Sequence, residues 1–119
     1  MAAQYRIYHN PRCTKSRQTL ALLQAAGITP EIILYLDTPP GTEELSLLIK
    51  QLGFASARQL LRTGEDAYKQ LGLGNPAINE AHIIAAMAEH PKLIERPIVV
   101  KGNKAILGRP PENVLSLMS

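Results

Sequence analysis

The chain has one cysteine, one phenylalanine and no tryptophan among its 119 residues. A lone thiol, Cys13, cannot close an intrachain disulfide, so the fold is not a disulfide scaffold and a reducing compartment is expected. A cysteine-rich zinc cluster is excluded as well, and His9, His82 and His90 show no ligand spacing, so no metal is expected. One phenylalanine and four tyrosines are little material for stacking on bases, and a formal net charge of +3 is small; no nucleic-acid partner is expected. No apolar run approaches the ~18 residues of a membrane span, and no long apolar stretch follows Met1–Arg6. Neither a signal peptide nor a membrane partner is therefore expected. The cytoplasm is the expected location and a monomer the expected state.

What is present is a globular composition, 45% apolar and 19% charged. The length suits a single domain over residues 1–119, with no repeat, linker or low-complexity tract. Tyr5, Ile7 and Tyr8 mark a short strand that stops at His9-Asn10-Pro11. From Ser16 onward Leu20, Leu23 and Ala26 recur at helical spacing, and Gly27 closes the run. Ile32 to Leu36 is continuously apolar, which predicts a strand covered on both faces and completes a βαβ unit. Thr42, a candidate N-cap, opens a helix ending at Gly53. Short helical pieces at 57–61 and 66–71 follow, and Asn79-Glu80 opens another helix that His90-Pro91 stops. Ile98–Val100 and Ala105–Leu107 flank Gly102-Asn103 as a β-hairpin, and a last helix runs from Pro111 to Leu117. The chain reads as an α/β fold, a mixed sheet with a helical insertion at about 42–92. That order is also the order of a thioredoxin-like fold.

The chemistry concentrates around Cys13, between a strand end and a helix start. Backbone N–H groups without intrahelical partners and the helix dipole both favour a thiolate there, and the thiolate is the nucleophile. Arg12, Lys15 and Arg17 add three cations within a few positions. A buried, inert cysteine is the ordinary alternative, and these polar, cationic neighbours argue against it. The loop His9 to Ser16 can cradle an oxyanion at the helix N-terminus, which makes Asn10, Ser16 and Arg17 candidate substrate-binding residues. It lacks the glycines of a P-loop. Thr14 and Ser16 equally suit plain N-caps, Lys15 and Arg17 ordinary solvated positions, and His9 an exposed turn. His9 could also take a proton from Cys13 or orient it. Arg62, Arg96 and Arg109 each stand where an element ends and the chain turns. A guanidinium offers a planar, permanently charged fork for tetrahedral oxyanions, although any one of the three taken alone reads first as a surface ion pair.

Tyr8-His9-Asn10-Pro11-Arg12-Cys13-Thr14-Lys15-Ser16-Arg17, with Leu61-Arg62, Glu95-Arg96-Pro97-Ile98-Val99-Val100 and Gly108-Arg109-Pro110, resembles the glutaredoxin-coupled arsenate reductase family. The likeness extends from Tyr8 to about Leu117 and is strongest to its small single-cysteine bacterial members. It implies a thioredoxin-like fold with a helical insertion and a cis peptide before Pro97. It implies that Cys13 attacks arsenate to give a covalent thiol–arsenate adduct, with His9 assisting the thiolate. It further implies that Arg62, Arg96 and Arg109 hold the oxyanion and that Ser16 contacts the site. Glutathione as co-substrate and glutaredoxin as partner would supply the electrons, with no bound cofactor.

The residue chemistry points the same way independently. A thiolate and an oxyanion repel each other by ~4 kcal/mol at ~4 Å and an effective dielectric constant of ~20, so nearby cations are required. With no second cysteine, the reductant must arrive from outside as a thiol. Cys13-Thr14-Lys15-Ser16 also lacks the second cysteine of a dithiol oxidoreductase. Two other functions suit the same scaffold. One is a transcriptional regulator that binds RNA polymerase, whose members commonly carry a C-x-x-C switch and lack the full arginine set. The other is a glutaredoxin-like thiol transferase working with one cysteine.

Overall fold

A computed structural model describes residues 4–118; Met1–Ala3, part of the N-terminal stretch considered above for a signal peptide, lie outside the described residues, as does Ser119. The elements in chain order are β1 (Tyr5–Tyr8), α1 (Thr14–Ala25), β2 (Glu31–Ile33), α2 (Thr42–Gln51), α3 (Asp66–Gln70), α4 (Glu80–Glu89), β3 (Ile98–Lys101), β4 (Lys104–Leu107) and α5 (Leu115–Met118). They form two compact units, residues 4–38 with 96–118, and Pro39–Glu95. Among the described residues no helix is long and apolar enough to cross a membrane.

In the first unit the four strands make one mixed sheet in the order β2-β1-β3-β4. β1 pairs with β2 in parallel, as the βαβ pattern requires, and with β3 antiparallel. β3 and β4 form the hairpin expected around Gly102, whose φ of +62° is reached readily without a Cβ. One face of this sheet is covered through Ile7, Leu23, Val99, Val114 and Leu117, which form a buried cluster. Each side chain of this size withdrawn fully from water contributes ~1.5–3 kcal/mol.

Four local expectations are corrected. The apolar run from Ile32 does not make a strand covered on both faces. β2 ends at Ile33 and lies at the sheet edge, leaving Ile32, Leu34 and Leu36 at 47%, 40% and 36% exposure. The cause is its neighbour. β1 ends at Tyr8, the His9 N–H takes the Ile33 carbonyl at 2.9 Å, and Leu34 then turns back, its carbonyl accepting from Asp37 and Thr38. Helix α1 starts at Thr14 rather than Ser16, and the cap of α2 is Gly41, with Thr42 its first helical residue. The terminal helix is a 3-10 turn over Pro111–Val114 before α5.

In the second unit α2 and α4 pack against each other, with Leu45, Leu48, Ile83 and Met87 buried. Asn79 caps α4 as expected, its side-chain oxygen accepting from the His82 N–H. Two chain segments also meet edge to edge. Leu61 bridges Ile94 antiparallel, the Arg62 N–H donates to the Leu93 carbonyl at 2.7 Å, and the Glu95 N–H donates to the Leu60 carbonyl at 2.9 Å.

The peptide bonds Arg96–Pro97 and Arg109–Pro110 are both cis. Between them Gly108 lies hard against α1. A Cβ there would fall on the Thr19 hydroxyl and 2.8 Å from Pro97 Cγ. The Thr19 hydroxyl bonds the Lys15 carbonyl at 2.8 Å and reaches the Gly108 carbonyl at 3.5 Å, and Gly108 N–H donates to Pro97 at 2.9 Å. Close approach, not a positive φ, is what requires glycine. Gly108→Ala should therefore cost ~1–3 kcal/mol of stability. Urea unfolding checks this: a lower midpoint at unchanged slope is expected, and an unmoved midpoint would refute the contact.

Candidate active site

The loop that carries the cysteine is built from the end of β1 outward. Asn10-Pro11-Arg12-Cys13 is a β-turn closed by the Cys13 N–H on the Asn10 carbonyl at 3.0 Å, with proline where a turn wants a fixed φ. The Asn10 side-chain oxygen accepts from the Arg12 N–H at 3.0 Å and braces the same turn. The Arg17 N–H then takes the Cys13 carbonyl at 3.0 Å, the first bond of α1. Cys13 is thus the N-cap, in extended conformation with φ −94° and ψ 122°.

A cap position directs a side chain at the unpaired amides of the first turn. The thiol itself makes no capping hydrogen bond, but the ionised sulfur is favoured by the Ser16 and Lys15 amides. Burial pushes the thiol up from its ordinary value. The Ser16 amide, the Arg96 guanidinium through a hydrogen bond and its charge, and the Lys15 amide together outweigh that and hold it below. Cys13 remains half-exposed, so a small reactant can reach it.

Ser16, rather than serving as a cap, is fully buried inside the first turn. Its hydroxyl accepts the Asn10 N–H at 3.0 Å and shares a 2.7 Å hydrogen bond with His9 Nδ1. His9 is not an exposed turn residue: it is 6% exposed, and burial lowers its imidazole from the ordinary value, favouring the neutral ring. Its Nδ1 is engaged by Ser16, so it braces the residue whose amide faces the sulfur. Thr14 and Arg17 are exposed; the Arg17 guanidinium donates to Thr14 Oγ1 at 3.3 Å and to the Pro11 carbonyl at 3.5 Å, lacing the loop to the helix. Arg12 and Lys15 are exposed.

Arg96 and Arg109 come from the far end of the chain into the same unit. Arg109 donates to the Arg96 carbonyl at 3.2 Å, tying together the segments that precede the two cis prolines. The Arg96 Nε is buried without a hydrogen-bond partner, so this guanidinium keeps donor capacity beside the sulfur. Arg62 lies in the second unit. There its Nε stands 3.4 Å from Glu65 and its NH1 3.4 Å from Glu95. The Nε approach lacks hydrogen-bond geometry.

Sequence reasoning missed Thr19 and Gly108, which seat α1 against the Pro97 turn, and Glu65 and Glu95, the counter-ions of Arg62. Glu95 stood inside a motif read for its arginine. Nothing in the local pattern marked Thr19.

Comparison with known proteins places these features in a group. The profile described as the ArsC family matches residues 8–117. The uncharacterised protein YfgD of Escherichia coli (strain K12) is 52% identical over 118 residues, 99% of each chain. A protein of Haemophilus influenzae named arsenate reductase is 50% identical over 112 residues, 94% of this chain and 97% of that one. The solved structure of arsenate reductase from Vibrio cholerae superposes with a TM-score of 0.95 at 53% identity, covering 98% of both chains. The fold is thioredoxin-like.

The arrangement around the sulfur predicts its titration. The rate of Cys13 alkylation by iodoacetamide should rise with pH to a midpoint below that of an ordinary free cysteine. Arg96→Gln should move that midpoint upward, because the guanidinium that favours the ionised sulfur is lost. An unmoved midpoint would leave the helix amides as the sole cause.

Proposed function

Because the chain belongs to the ArsC family, we propose that it is an arsenate reductase that works through a covalent adduct on Cys13, with glutathione and glutaredoxin as the electron source. The observation that carries the reading is the half-exposed sulfur at the N-cap of α1, facing two helix amides and the Arg96 guanidinium.

Such a sulfur can serve as nucleophile and such surroundings can receive an oxyanion. The thiolate attacks arsenic, and an arsenate oxygen leaves as water, giving the thiol–arsenate adduct. A glutathione thiol then attacks Cys13, the S–As bond breaks, and its electron pair stays on arsenic. Arsenic passes from the pentavalent to the trivalent state and leaves as arsenite. The two sulfurs lose the same two electrons and join as a mixed disulfide, which glutaredoxin reduces. No second cysteine is present to resolve that disulfide within the chain.

Arg96 and Arg109 offset the repulsion between thiolate and oxyanion and stabilise charge in the adduct, and Arg62 completes the set that the family resemblance implies. Asn10 and Arg17 hold the loop in shape around the anion. Ser16 presents its amide, and His9 keeps Ser16 in place. The polymerase-binding reading has no C-x-x-C switch here to support it. The thiol-transferase reading predicts reduction of mixed disulfides without arsenate.

Arsenate-dependent NADPH oxidation in a coupled glutathione–glutaredoxin–glutathione reductase assay tests the reading. Turnover is expected for the wild type and none for Cys13→Ser. Full activity of Cys13→Ser would sink the adduct mechanism, and activity on mixed disulfides alone would favour the transferase. In the same assay Arg96→Lys should lower kcat/KM by roughly tenfold or more despite conserving charge, because an ammonium cannot reproduce the planar fork. An unchanged kcat/KM would remove bidentate anion binding from the account.

A further inference from the structure

We infer that the hydrogen bond between Ser16 and His9 runs from the hydroxyl to the ring, which fixes His9 as the neutral tautomer protonated at Nε2. His9 is then a positioning residue that acts on Cys13 through Ser16, and it cannot take the proton of the thiol. The inference concerns how the thiolate is kept, so it holds whichever reactant Cys13 attacks.

The Ser16 side chain is fully buried, so its hydroxyl proton needs an acceptor inside the protein. Two groups bond to that oxygen, the Asn10 N–H at 3.0 Å and His9 Nδ1 at 2.7 Å. The amide is a donor and can accept nothing. The ring nitrogen is therefore the acceptor, and it carries no proton of its own. The opposite arrangement, with Nδ1 donating, aims two N–H groups at one oxygen and leaves a buried hydroxyl proton unpaired. An imidazolium meets the same conflict, since both of its nitrogens donate. Its charge is opposed by burial as well, because the ring is only 6% exposed.

With Nδ1 filled by the hydroxyl and Nε2 by its proton, neither nitrogen keeps a lone pair for the thiol. The electrostatics at both ends agree. An ion pair with the thiolate would raise the imidazole pKa, whereas burial is the cause that shifts it, and the shift is downward. The groups that favour the ionised sulfur are the Ser16 amide, Arg96 and the Lys15 amide, and His9 is not among them. What His9 does is hold Ser16. The Asn10 amide, the Ser16 hydroxyl and the ring form one chain of donors and acceptors, and the His9 N–H is itself fixed on the Ile33 carbonyl at 2.9 Å. The first turn of α1 is thereby tied to the strand ends, which keeps the Ser16 amide aimed at the sulfur.

Imidazole 15N NMR of the wild-type protein reads the tautomer, with the exposed His82 and His90 as internal references. The His9 proton is expected on Nε2, with the ring still neutral at a pH where both references are protonated. A proton on Nδ1, or an imidazolium at neutral pH, would overturn the inference. This spectrum needs no variant, so it decides the tautomer even where a substitution unfolds the loop. The pH profile of Cys13 alkylation reads the route of action. In His9→Asn the side-chain oxygen takes the place of Nδ1 and accepts from Ser16, so the midpoint should stay near that of the wild type. His9→Gln, whose oxygen reaches the place of Nε2 instead, and Ser16→Ala should each move it upward. Adding His9→Gln to Ser16→Ala should bring no further shift. If His9→Asn shifts as far as His9→Gln, or if the two shifts add, His9 reaches the sulfur by another route and the inference fails. A midpoint unmoved in His9→Gln or in Ser16→Ala would remove the positioning role.

Discussion

The competition at one sulfur governs the rest of the molecule. Burial alone drives the Cys13 thiol toward the neutral form, and the amides of Ser16 and Lys15 with the Arg96 guanidinium reverse that preference. Neither amide can be supplied without a helix start at this position. The turn Asn10-Pro11-Arg12-Cys13 brings the chain round so that Cys13 becomes the N-cap. The amides that an α-helix leaves unpaired then find an acceptor in an ionised sulfur.

The position of that helix is in turn set from below and from the side. Below it, the Ser16 hydroxyl is enclosed and bonded to both the Asn10 amide and His9 Nδ1, so the first turn of α1 is locked to the end of β1. At its flank, Thr19 meets Gly108 with no room for a side chain. This contact holds the Pro97 turn, and therefore Arg96, against the helix that carries the sulfur. Buried polar groups beneath the loop thus fix the geometry of the groups that face the sulfur. This is the usual division between a reactive group and the shell that orients it.

Much of the fold was legible in the sequence because its elements carry their own punctuation. Gly27 ends α1, Asn79 caps α4, and Gly102 turns the hairpin, each with a local physical cause. β2 was misread because a continuous apolar run signals burial only if strands flank it, and Ile32 and Leu34 lie at a sheet edge. Edge or centre is a property of the strand order, which no single segment contains. For the site, the cationic cysteine loop was legible through residue type and helix-start position. Ser16 and His9 were read as candidates, but their burial and mutual hydrogen bond depend on how β1 and α1 meet. The carboxylates around Arg62 were invisible for a related reason: Glu95 lies more than thirty residues away along the chain and reaches Arg62 through an antiparallel bridge.

Charge beside a thiolate carries a cost that argues for a second use. Lowering a thiol's pKa also lowers its intrinsic nucleophilicity, with a Brønsted slope of ~0.4–0.5, so ionisation alone yields diminishing gains in rate. The helix amides already favour the ionised sulfur. The guanidinium added to them has an Nε left without a hydrogen-bond partner, donor capacity that ionisation of the sulfur does not use. The surplus makes physical sense when the reactant is itself an anion. The positive charge that slightly tames the nucleophile then removes a repulsion of several kcal/mol between nucleophile and electrophile. A neutral disulfide substrate would experience the loss without that compensation. The single cysteine adds a constraint of its own: any mixed disulfide formed at Cys13 would need a thiol from outside the chain to resolve it.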